Sequence, residues 1–142
     1  MKLRILLVDD EPGIKSVYQR FFEERGHEVI SAPNPTLLPV CYERKCAPEF
    51  PCADMVLIDF RMPKMNGLDF LQMQKEKGCK APSENKIIMT GMPGDLDVEQ
   101  VKALGCQVLN KPLTFAELDD LLTRVESNLS PDRQLADLSY NP

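Results

Sequence analysis

Short apolar runs that stop abruptly at a charged or hydroxyl side chain constrain this chain's fold more than any other feature. Leu3-Arg4-Ile5-Leu6-Leu7-Val8 halts at Asp9, Met55-Val56-Leu57-Ile58 at Asp59, and Lys86-Ile87-Ile88-Met89 at Thr90. Gln107-Val108-Leu109 stops just before Lys111-Pro112, and His27 to Ile30 forms a further short run. Strands that read as almost unbroken apolar runs are buried on both faces, as in a parallel sheet covered by helices. Segments of helical period separate them. Ile14, Val17, Tyr18, Phe21 and Phe22 follow the i, i+3, i+4, i+7, i+8 spacing of an amphipathic helix. Pro12 suits that helix's first turn and Gly26 its left-handed cap.

The second crossover is less regular. Pro33, Pro35 and Pro39 crowd seven residues, so a short or distorted helix is expected there, followed by an extended loop through Pro48 and Pro51. A turn through Pro63 and Gly67 leads to a third helix carrying Leu68, Leu71 and Gln72. Asp95 is the expected N-cap of a fourth helix ending near Leu104. Thr114 and Glu117 form a capping box for the last helix, whose Phe115, Leu118, Leu121, Leu122 and Val125 make one apolar stripe. Five strands and five helices in alternation, joined by right-handed crossovers, give a doubly wound α/β sheet. Residues 1–129 are expected to form one domain and 130–142 a polar, mobile tail or the start of a linker, with docking through Leu135, Leu138 and Tyr140 as the alternative.

Composition removes several function classes. Hydrophobic residues make up 43% of the 142, enough for a core, and a formal charge of −5 argues against direct nucleic-acid binding. No apolar run is long enough to span a membrane, and Asp9 and Asp10 interrupt the first one too early for a signal peptide. A cytoplasmic location is expected. The five cysteines, an odd count without C-x-x-C spacing, do not suggest a disulfide framework. Cys46, Cys52, Cys79 and Cys106 should all lie toward the amino edge of the sheet. A zinc or iron–sulfur site there would need spacings the sequence lacks, so packing is the expected role.

The strand ends carry the chemistry. Ligands of an open parallel sheet bind at the carboxyl ends of its strands. Asp9, Asp10, Glu11, Asp59, Thr90 and Lys111 should therefore meet at one mouth. Crowded carboxylates repel, and a hard divalent cation such as Mg²⁺ relieves that conflict. Asp10 and Asp59 are the first expected ligands, with Asp9 acting through water. Lys111 adds a second positive charge, the Thr90 hydroxyl can donate to another oxygen, and Gly91 leaves room for the incoming group. This is a phosphoryl-transfer site with Asp59 as nucleophile and an acyl phosphate as product. His27 lies on the far side and is read as structural, and Tyr18 as a core residue.

Val8-Asp9-Asp10-Glu11, Leu57 to Gly67, Met89-Thr90-Gly91 and Asn110-Lys111-Pro112 together resemble the receiver domains of two-component response regulators, over roughly residues 3 to 127. The resemblance implies a flavodoxin-like sheet of order 2-1-3-4-5. It also implies a phosphohistidine donor on a sensor histidine kinase or histidine phosphotransfer protein. The backbone carbonyl of Arg61 would then complete the metal shell, and the signal would pass through the face of the fourth helix, fifth strand and last helix.

On this reading the chain is a phosphoacceptor switch that assists its own phosphorylation and dephosphorylation, not an enzyme with a separate substrate. A haloacid-dehalogenase-like phosphatase would place its nucleophile in an Asp-x-Asp pattern after the first strand, which Val8-Asp9-Asp10-Glu11 lacks. An unphosphorylated interaction module would not need Asp59, Thr90 and Lys111. Two departures from the family pattern matter. Val108 stands where receivers often carry a switching aromatic, and Met92, two residues after Thr90, cannot orient an attacking water, so slow self-dephosphorylation is expected. With no DNA-binding or catalytic segment after residue 127, output is expected through a downstream protein, or through an output domain if the chain is cut from a longer one. A homodimer through the signalling face is left open.

Overall fold

The computed structural model describes residues 1–38 and 49–138. Its strands are β1 (Arg4–Val8), β2 (Glu28–Ala32), β3 (Met55–Asp59), β4 (Lys86–Thr90) and β5 (Gln107–Asn110). Its α-helices, among the described residues, are α1 (Pro12–Glu24), α2 (Gly67–Glu76), α3 (Val98–Leu104) and α4 (Phe115–Ser127). All strand pairs are parallel and the order is β2-β1-β3-β4-β5, as expected.

The apolar runs feed two cores because successive strand side chains point to opposite faces. Leu6, Val8, Val56, Ile58 and Ile88 pack under Leu68, Phe70 and Leu71 of α2 and Leu104 of α3. Ile5, Leu7, Met55, Leu57, Ile87 and Met89 pack under Tyr18, Phe21 and Phe22 of α1 and Leu118, Leu121, Leu122 and Val125 of α4. The register aligns Val8 with Ile58, Asp59 with Met89, and Thr90 with Asn110. Four strand ends therefore finish on one edge. Local signals hold where they are self-contained: Pro12 opens α1, Gly26 is left-handed (φ 86°), and Thr114 and Glu117 close a reciprocal capping box.

Several expectations are refined or corrected. The expected short or distorted second helix begins as a 3₁₀ turn, Pro35–Leu37, capped by Asn34, and the remainder of that segment falls outside the described residues. The N-cap of α3 is Asp97, whose carboxylate accepts from Glu99 N and Gln100 N, while Asp95 ends a 3₁₀ turn two residues earlier. Val17 and Phe115 are about half exposed, Phe115 lying stacked on Phe21 at the outer rim and not in the core. His27 is structural as read, its Nδ1 accepting from Leu3 N at 3.0 Å, and burial lowers its pKa.

Residues 130–138 pack against the amino edge instead of hanging free. Arg133 forks onto Asp54 with both contacts at 2.6 Å and also donates to the Lys2 carbonyl. Ala136 N donates to Pro51 O, Arg4 donates to Ala136 O, and Leu138 packs against the α2-side core. The reason is a buried charge: among the described residues, the Asp54 carboxylate without Arg133 would keep only the hydrogen bond from Arg4 N.

Candidate functional site

Each site residue is delivered by a strand end. Asp9 follows β1 and is fully buried, with Asp10 and Glu11 exposed beyond it. Asp59 is the last residue of β3 and Thr90 the last of β4, and both are buried. Lys111 follows β5 and opens the cis Lys111–Pro112 bond. Its backbone N donates to Thr90 O at 2.8 Å, which seats the lysine beside β4. Tyr18 of α1 steadies the next turn, its hydroxyl accepting from Leu113 N at 2.9 Å. Burial raises the Tyr18 pKa, partly offset by that hydrogen bond.

The Lys111 ammonium sits between three carboxylates: 2.8 Å from Asp9 Oδ2, 3.0 Å from Asp59 Oδ2 and 3.2 Å from Glu11 Oε1. Burial alone would lower the lysine's pKa, but hydrogen bonds to Asp9 and Asp59 outweigh it and hold the amine protonated. One cation does not neutralise this many anions. Desolvation pushes the Asp59 pKa up to about 6, against the pull of Lys111 and with help from Asp9 and Asp10. Asp9 Oδ2 makes an ion pair with Lys111 at 2.8 Å but accepts no other hydrogen bond among the described residues, so this fully buried carboxylate depends on a cation it shares with Asp59. Asp9, Asp10, Glu11 and Asp59 each offer an oxygen, and all four oxygens lie within 4.8 Å of one another. Four hard oxygen donors at that spacing, with one ammonium among them, fit a divalent cation.

A pocket of about 480 Å³ opens over Asp59, lined by Asp10, Glu11, Arg61, Thr90, Met92 and Lys111 among others. The Thr90 Oγ1 accepts from Met92 N at 3.0 Å, shaping the rim. Gly67 packs tightly against the Asp59 backbone, where a Cβ would stand 2.7 Å from Asp59 O and 2.9 Å from Ile88 Cδ1.

All the residues expected at this mouth converge there. Glu11, expected at the strand end but not as a metal ligand, belongs to the carboxylate group, and its place directly after Asp10 was the available signal. Asp95 was read as a helix cap, whereas its carboxylate pairs with the Arg61 side chain across the rim. The amino-edge cysteines build no comparable site among the described residues: Cys52 is buried, Cys79 and Cys106 are partly buried free thiols, and burial raises the Cys106 pKa. Cys41 and Cys46 fall outside the described residues.

Residues 5–123 match the response regulator receiver domain, and the chain belongs to that family. It is a receiver of two-component signal transduction, which displaces the phosphatase reading. The chain is 30% identical to the transcriptional regulatory protein AruR of Pseudomonas aeruginosa, over 92% of this chain and 55% of that protein. It is 30% identical to sporulation initiation phosphotransferase F of Bacillus subtilis, over 87% of this chain and 94% of that protein. The chain thus spans about half of some relatives and nearly all of another. In fold it resembles the receiver domain of sensor histidine kinase PA1611 from Pseudomonas aeruginosa, solved with a magnesium ion coordinated in its active-site cleft. That match has a TM-score of 0.68 at 22% identity and covers 89% of this chain and 99% of that one. Among the described residues, no helix is long and apolar enough to cross a membrane.

Proposed function

We propose that Asp59 accepts a phosphoryl group from a phosphohistidine on a histidine kinase or phosphotransfer protein, and that Mg²⁺ is held by Asp9, Asp10 and Asp59. The observation that carries this reading is the Lys111 ammonium, shared between Asp59 and Asp9 at the floor of an open pocket. By resemblance to the family, the Arg61 carbonyl joins the metal's ligands.

An ionised Asp59 oxygen attacks the phosphorus as the bond to the donor imidazole breaks, leaving an acyl phosphate and an imidazole that takes up a proton. The divalent cation, when bound, supplies charge neutralisation at the phosphoryl oxygens. Lys111 holds its proton throughout and offsets charge on Asp59. Thr90, at the end of β4, is positioned to donate its hydroxyl proton to a phosphoryl oxygen. Beside the pocket lies an apolar groove of about 840 Å³ between α1 and the start of α4, lined by Ile14, Val17, Leu113 and Phe115 and sharing Asp10 and Glu11 with the pocket. A protein donor has apolar surface to rest on there while its imidazole reaches Asp59. Output is assigned to the face of α3, β5 and α4, which are the fourth helix, fifth strand and last helix of the sequence reading. Val108 packs there as an aliphatic side chain without a ring to rotate.

The test is intact mass after incubation with acetyl phosphate and Mg²⁺, for wild type and Asp59→Asn. Gain of one labile phosphoryl group by wild type alone is the expected result. Gain by both proteins would move the acceptor elsewhere. Asp59 attacks only when ionised, and a bound cation lowers its pKa from the metal-free value of about 6, so with Mg²⁺ present the rate is expected to fall only as pH drops below 6.

A further inference from the structure

We propose that the Arg61–Asp95 ion pair is a gate at the rim of the phosphoacceptor pocket, and that Arg61 leaves Asp95 for the phosphoryl oxygens once Asp59 is phosphorylated. This rests on the acceptor role of Asp59. Arg61 and Lys111 are the two cations among the residues lining the pocket. Lys111 is already committed to three carboxylates. Arg61 has its ion pair at the rim, with Asp95, which is not itself a lining residue. The guanidinium is therefore tied to a residue outside the pocket's lining.

Asp95 is available for this because Asp97 has taken over capping of α3. The 3₁₀ turn Pro93–Asp95 has no side-chain cap of its own. Arg61 is 67% exposed and Asp95 34%, and an ion pair that wet is weak and easily exchanged. Phosphorylation replaces one carboxylate charge at Asp59 with about two on the phosphoryl group. A guanidinium forks onto phosphoryl oxygens with stronger, charge-assisted hydrogen bonds than it makes with an exposed carboxylate. The exchange thus runs toward the pocket when the phosphoryl group arrives and back toward Asp95 when it leaves. Its consequence is local and directional. Asp95 loses its tie to the loop after β3, and the turn leading into α3 is released at the moment Asp59 is modified.

The experiment measures acyl-phosphate lifetime by intact mass after acetyl phosphate and Mg²⁺, for wild type, Arg61→Gln, Asp95→Asn and the double variant. Asp95→Asn frees Arg61 in advance and lengthens the lifetime by about threefold, whereas Arg61→Gln shortens it by a similar factor. The double variant matches Arg61→Gln, because Asp95 acts only through Arg61. A pair that merely held the loop together would shift both single variants in the same direction, and that result overturns the gate. Unchanged lifetimes in both single variants overturn it too, while leaving the acceptor reading intact. Failure of wild type to take up a phosphoryl group overturns the acceptor reading and the gate with it. All three variants alter exposed side chains, and their circular dichroism should match wild type.

Discussion

Strand β3 carries a buried carboxylate at each end, and the two are treated in opposite ways. Asp54, just before the strand, is 1% exposed and receives the Arg4 N–H and a two-pronged guanidinium from Arg133. Asp59, its last residue, is 6% exposed and must share one ammonium with Asp9 and Glu11. At the amino end of β3 the buried charge is matched and its hydrogen bonds are made. The carboxyl edge is left short of positive charge, and that shortage is what allows it to take up a cation and a phosphoryl group. A satisfied carboxylate is a poor nucleophile, and an unsatisfied one costs stability.

The comparison breaks most sharply at Arg133. Arg133→Ala strands a buried carboxylate and should cost about 3 kcal/mol in urea unfolding, with phosphorylation of the folded protein unchanged. A loss below about 1 kcal/mol would mean that the amino edge is not held by this pair. Gly67→Ala comes next. Its new methyl group meets the Asp59 backbone carbonyl at 2.7 Å and should cost about 2 kcal/mol while also slowing phosphorylation. Normal stability and rate together would show that the loop has slack.

Asp59→Asn should act in the other direction. Folding raises this carboxyl from its ordinary value to about 6, so its contribution to stability is present below pH 4 and is lost as pH rises through 6. At pH 7 without divalent metal, the amide variant should be more stable than wild type by roughly 1–2 kcal/mol, a figure reduced for the open pocket above the side chain. The gap should narrow on adding Mg²⁺ and close at pH 4. Equal stability at pH 7 would remove the charge shortage. Smallest is Glu11→Gln: this exposed carboxylate touches Lys111 but is not among the groups that shift Asp59, so its loss should change stability by less than about 0.5 kcal/mol. A marked movement of the Asp59 titration followed by NMR would show that Glu11 is part of the balance.

The carboxyl edge was far more legible than the amino edge, for a physical reason. An apolar run that stops at Asp9, Asp59 or Thr90 reports both that a strand is buried and where it ends, and parallel register then brings those ends together. The Thr114–Glu117 box was legible because its partners are three residues apart. Asp95 and Asp97 were not separable, since both precede the same helix and both are good caps. The choice fell to the 3₁₀ turn that consumes residues 93–95. Phe115 matched the helical stripe but lies at its outer edge, where it stacks on Phe21.

The sequence by itself determined the alternating α/β pattern, which residues stand at the strand ends, and the chemistry that Asp9, Asp10, Asp59, Thr90 and Lys111 offer together. Those are properties of periodicity and of residue type over a few neighbours. Tertiary structure alone decided that Arg133 neutralises Asp54 from 79 residues away and that Asp95 holds Arg61 from 34 away. Polar side chains carry no mark of their distant partner in the chain, because the same arginine is equally content in water. Only burial of the carboxylate it meets makes one pairing worth more than the rest.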